Sequence, residues 1–97
     1  NLDLAGENGD KSIAAYTNRG NRREDLGDRE GAAEDWETAS NIPAYTASEY
    51  SSRGYAKSRL NQKKAALDDY NQSLIVNPNS ASALINQAYL NYESVEV

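Results

Sequence analysis

Cysteine, histidine and methionine are absent from these 97 residues, and proline occurs only twice. Without cysteine there can be no disulfide, no thiolate nucleophile and no cysteine-based metal site. The same absence suits reducing and oxidising surroundings, so the compartment stays open, with a soluble, cytoplasmic protein as the expectation. Losing histidine removes the commonest general base and metal ligand. Carboxylates, Ser, Thr, Tyr and Lys are the only catalytic candidates left. No apolar run approaches the ~20 residues that span a bilayer, so no membrane insertion is expected. The chain begins at Asn1, so a processed or excised piece is expected, from which any targeting signal would already have been removed.

Positive charge is also scarce. Lys and Arg number 10 against 15 Asp and Glu, for a net charge of −5 and a pI near 4.6. One stretch runs against that balance: YTNRGNRRED, residues 16–25, looks like a basic nucleic-acid arm. Glu24 and Asp25 follow the arginines at once and cancel most of their field. A chain of this sign repels phosphate overall, so no nucleic-acid partner is expected.

What the sequence does contain is a repeat. Tyr16, Arg19, Gly20, Leu26, Ala32 and Asp35 recur 34 residues later as Tyr50, Arg53, Gly54, Leu60, Ala66 and Asp69. Trp36 is matched by Tyr70 at the same offset. A fixed period of this length marks a repeat architecture. Ser12, Thr46 and Ser80 keep the same beat as candidate N-caps, and Thr46-Ala47-Ser48-Glu49 has capping-box spacing. The spacing of apolar residues predicts helices over Ile13–Leu26, Arg29–Ile42, Ala47–Leu60, Lys63–Val76 and Ala81–Glu93. Gly27-Asp28 and Asn61-Gln62 break the pairs, while Pro43 and Pro78 end the second helices. Glycine inside a helix costs ~1 kcal/mol relative to alanine, so Gly20 and Gly54 mark close helix approach rather than phosphate binding. Leu84, Ala88 and Leu90 are the expected packing residues of the last helix. The arginines beside Gly20 are expected to cover apolar surface with their stems.

These motif residues resemble the tetratricopeptide repeat. Tyr16, Gly20, Leu26, Gly27, Asp28, Ala32, Trp36 and Ala39 carry the likeness in one copy. Tyr50, Gly54, Leu60, Ala66, Tyr70, Leu74 and Pro78 carry it in the next, and Ala81, Leu84 and Ala88 begin a third. The departures are an early Pro43, and Arg23 and Lys57 where the family usually has an aromatic. The resemblance implies an all-α, right-handed α-solenoid of antiparallel helix pairs, about two and a half repeats long. One domain would span 1–97: a preceding partial helix or frayed segment at 1–12, repeats at 13–46 and 47–80, and a terminal capping helix at 81–97.

The resemblance also implies a concave face lined by the first helix of each unit. Its partner-binding positions would be Thr17, Asn18, Asn21 and Glu24, then Ser51, Ser52 and Tyr55, then Ile85, Asn86 and Tyr89. Glu24 and Asp25 would favour a ligand that is basic at the matching end. A carboxylate clamp known in part of the family is missing. Asn21 fits one slot, but Thr17, Ser52, Ser82 and Asn86 stand where lysine, asparagine and basic residues are needed. Glu34-Asp35 and Asp68-Asp69 suggest paired-carboxylate catalysis, but their repetition at the structural period favours solvated acids beside core aromatics. No enzyme activity, cofactor or metal is therefore expected. The expected function is binding of a protein or peptide. The alternative is a structural or oligomerisation segment of a longer helical-repeat assembly, self-associating weakly through open ends.

Overall fold

The computed structural model describes residues 11–95, with side chains through Tyr92. Of the segment 1–12, where a preceding partial helix or a frayed segment was expected, residues 1–10 lie outside the described residues. Five helices follow one another: α1 (Ile13–Asp25), α2 (Arg29–Ser40), α3 (Ala47–Arg59), α4 (Lys63–Val76) and α5 (Ala81–Val95). There is no strand among the described residues.

Local chemistry explains the helix starts. The Ser12 hydroxyl accepts from the Ala15 N–H at 3.1 Å, and Asp28 Oδ1 accepts from the Gly31 N–H at 2.9 Å. Thr46 forms a complete capping box with Glu49. Hydrogen bonds from the backbone N–H groups of Tyr45 and Thr46 hold the Glu49 carboxyl below its ordinary pKa. Ser80 keeps the beat with a longer contact, 3.5 Å from the Ala83 N–H. The breaks also match: Gly27 has φ +88°, and Asn61, at the same place in the next pair, has φ +63°. Asparagine tolerates this left-handed region better than most residues.

The second helix stops two residues short of the expected Ile42. Pro43 disfavours helical backbone at the residue before it. The Asn41 and Ile42 N–H groups instead close short turns onto Thr38 and Ala39.

Each helix packs on its successor, and α1, α3 and α5 also touch in sequence. Two layers result, with α1, α3 and α5 in one and α2 and α4 in the other. The radius of gyration is 13.1 Å, close to the ~12 Å of a globular chain this size.

The glycines sit where the layers meet most closely. A Cβ on Gly20 would stand 2.6 Å from Trp36 Nε1 and 3.2 Å from the Ala32 carbonyl. One on Gly54 would stand 2.6 Å from the Tyr70 ring and 3.1 Å from the Ala66 carbonyl. Both spaces are filled by an aromatic ring seated on bare backbone.

The core has two clusters. Ile13, Ala32, Trp36, Ala39, Ala44 and Ala56 form the first, which already includes Ala56 from α3. Ala66, Tyr70 and Leu90 form the second, which includes Leu90 from α5. Each hairpin is thus closed by the helix after it. Leu60 packs against the first cluster, whereas Leu26, its counterpart, is 69% exposed because no preceding hairpin stands beside it among the described residues. The last helix differs from expectation in the same way. Leu90 and Ala83 are buried, but Leu84 and Ala88 are exposed, because no helix pairs with that side of α5 among the described residues.

Candidate functional site

Two of the three arginines of the NRGNRR stretch, Arg19 and Arg23, have an internal destination. Arg19 grips Asp35 with two hydrogen bonds of 2.9 and 2.7 Å, and Arg23 Nη1 lies 3.5 Å from the same carboxylate. Arg53 repeats the fork on Asp69 at 2.9 and 2.8 Å, with Lys57 Nζ at 3.0 Å. Asp35 and Asp69 are 2% and 4% exposed, which corrects the expectation of solvated acids. Arg23 and Lys57 each supply a second cation for that carboxylate. Arg19 and Arg53 also lie over the Tyr16 and Tyr50 rings, 5.5 Å from each centroid. Burial pushes the Asp69 carboxyl up, but hydrogen bonds and charge from Arg53 and Lys57 outweigh it and leave its pKa below the usual value.

On the other side of the first-helix layer lies a cleft of about 180 Å³. Thr17 and Asn18 of α1, Ser51, Ser52 and Tyr55 of α3, and Asn86 of α5 line it, together with Ala14 and Ser82. Six expected binding positions thus come together, from three helices. A second cavity, about 460 Å³, continues beside it, and Tyr55, Asn86 and Tyr89 border that one. Arg59, Asn61, Lys63 and Tyr70 complete much of its wall. Asn61, Lys63 and Tyr70 were not among the expected positions. They come from the turn into α4 and from α4 itself, and the first-helix stripe carries no sign of them. Burial pushes the Tyr70 hydroxyl pKa up to about 12.

Several expected positions are committed to the fold. Thr17 donates to the Ile13 carbonyl at 2.8 Å within its own helix. The Ser51 and Ser73 hydroxyls are 2.8 Å apart, and Ser73 donates to the Ala47 carbonyl, so Ser51 supplies the proton between them. Both Thr17 and Ser51 are buried and act as cleft floor. Asn21 lines neither cavity, and its side-chain oxygen accepts from Trp36 Nε1 at 3.2 Å. Glu24 is ion-paired with Arg59, whose guanidinium also lies 5.0 Å from the centre of the Trp36 ring. That pairing neutralises Glu24, one of the two acids for which a basic ligand was expected. Ile85 occupies the helix position of Thr17 and Ser51, lines neither cavity and is 67% exposed. Of the expected positions, those that face the clefts without such commitments are Asn18, Ser52, Tyr55, Asn86 and Tyr89.

Among the described residues, no three acidic, histidine or cysteine side chains gather where they could hold a metal ion. No described helix is long and apolar enough to cross a membrane. Compared with protein-family models, curated proteins and solved structures, the chain matches none.

Proposed function

We propose that this chain is a non-catalytic protein–protein interaction module of the tetratricopeptide type. In this reading it is a right-handed solenoid that holds an extended segment of a partner along its first-helix layer. The supporting observation is the convergence of Asn18, Ser52, Tyr55 and Asn86, from α1, α3 and α5, on one cleft that runs into a second. Amides and hydroxyls at this spacing can pair with an extended backbone. Tyr55 and Tyr89 supply large rigid contact area at little entropic cost. The acid pairs favour a binding module over an enzyme. Asp35 and Asp69 are locked in ion pairs, while their neighbours Glu34 and Asp68 are exposed. Neither pair presents two carboxylates to one substrate.

A displayed library of random peptides, selected on the intact chain, tests this reading. Tyr55→Ala and Tyr89→Ala should each weaken the selected peptides by ~2 kcal/mol, roughly thirtyfold, with helical content unchanged. Glu37→Ala, in a separate hollow bordered by α2 and Leu60, should leave affinity unchanged. Peptides that are lost with Glu37→Ala and held by both tyrosine variants would place binding elsewhere.

A further inference from the structure

Arg59 and Lys63 are the charged side chains among the described residues that line the cavity of about 460 Å³. No carboxylate is among them, although acids outnumber bases 15 to 10 in the chain. Four other cations are spent inside the fold, Arg19 and Arg23 on Asp35, and Arg53 and Lys57 on Asp69. The cavity lies between the second hairpin and α5, with walls from the end of α3, the turn and start of α4, and α5.

The repeat shows how the fold uses the matching place one hairpin earlier. The residues 34 positions before Ser58, Arg59 and Lys63 are Glu24, Asp25 and Arg29. There the Glu24 carboxylate reaches across to Arg59 on the next first helix, and the guanidinium lies over Trp36. At the second junction Ser58 stands where Glu24 stood, and its hydroxyl donates to the Tyr55 carbonyl at 2.7 Å. These three positions thus change from two acids and one base to two bases and no acid. A carboxylate entering the second junction would repeat the pairing that Glu24 makes at the first.

Resting on the groove reading above, we propose that this cavity receives one acidic side chain, Asp or Glu, of the bound segment and pairs it with Arg59 and Lys63. Tyr55 and Asn86 border both this cavity and the 180 Å³ cleft, so a segment lying along Asn18 and Ser52 continues into it. The volume falls in the ~300–1,000 Å³ range of ligand pockets, enough for a side chain and its stem. Arg59 can turn toward a ligand at little cost, because its pair with Glu24 leaves 37% of each side chain in solvent and such pairs are weak. A single acid suits the site better than an acidic run. The chain's net charge of −5 repels a polyanion, whereas two cations bordering the cavity outweigh that field within a Debye length of ~8 Å.

Peptides selected from a displayed random library on the intact chain should carry Asp or Glu at one fixed position. Synthesised with amidated C-termini, so that side chains supply their only carboxylates, they should lose about tenfold in affinity by calorimetry when that acid becomes its amide. Lys63→Glu, at an exposed first position of α4 where an acid suits the helix, should erase or invert this preference with helical content unchanged. N-acetylglutamate amide is an independent probe, since it brings the acidic side chain without a segment to fill the groove. It should shift the NMR signals of Asn61, Lys63 and Tyr89, while N-acetylglutamine amide should not. Selected peptides that are lost with Tyr55→Ala yet ignore the exchange of acid for amide overturn the proposal and leave the groove reading standing. If no peptide is selected, the groove reading fails and the NMR titration decides: shifts from the glutamate probe alone uphold the acidic subsite, and equal shifts or none overturn it.

Discussion

At the scale of single residues, the two buried aspartates hold each hairpin in register. Removing one partner of a buried ion pair costs about 3–5 kcal/mol, because the other charge is left without compensation. Arg53 and Lys57 keep 19% and 18% of their side-chain surface in solvent. That access softens the penalty, so Asp69→Asn should cost ~2 kcal/mol in urea denaturation. The pH dependence has a definite sign. A carboxyl whose folded pKa is lowered stabilises the fold above its unfolded value, near about 3.9, and loses that contribution as pH falls through the folded value. Below that window the parent and Asp69→Asn should converge in stability. A gap that persists at the acid end would mean that the residue acts through packing rather than charge. None of this burial was legible locally. An aspartate beside an aromatic reads as solvated until the arginines 16 residues away are known to point at it.

At the scale of elements, the two hairpins differ at one informative point. Asp28 caps α2, while Gln62, its counterpart with nearly the same backbone angles, makes no side-chain cap for α4. A capping side chain is worth ~1 kcal/mol. Gln62→Asp should therefore raise stability by about that amount, measured as a higher urea midpoint with an unchanged slope. No gain would show that the α4 terminus already satisfies its N–H groups by another route. Caps, breaks and helix spans were largely legible in the sequence, since each depends on residues within four positions. The cleft was legible by position only. The stripe on the first helices named Asn18, Ser52, Tyr55, Asn86 and Tyr89, all of which border the two cavities. It could not show that Ser51 and Asn21 spend their polar atoms on Ser73 and Trp36, because those partners lie on other elements.

At the scale of the whole molecule, stability passes from neighbour to neighbour. The first core cluster borrows Ala56 from α3, and the second borrows Leu90 from α5. α2 and α4 have no direct contact, so damage at one end reaches the other only through α3. Leu90→Ala should cost ~2–4 kcal/mol at the second cluster. Hydrogen exchange should then speed up across α4 and α5 well before the amides of α1 and α2. Uniform acceleration along the chain would instead describe one indivisible cooperative unit.

The placement of Arg59 has an optical consequence. This one guanidinium sits over the indole of the chain's single tryptophan and is also ion-paired with Glu24, while bordering the cavity shared with Tyr55, Asn86 and Tyr89. A ligand that draws Arg59 toward itself must lift a cation from the face of that indole. Tryptophan emission would then change in both intensity and wavelength as the cavity fills. The protein thus carries its own fluorescent gauge of occupancy, readable without a label and silenced by Arg59→Ala.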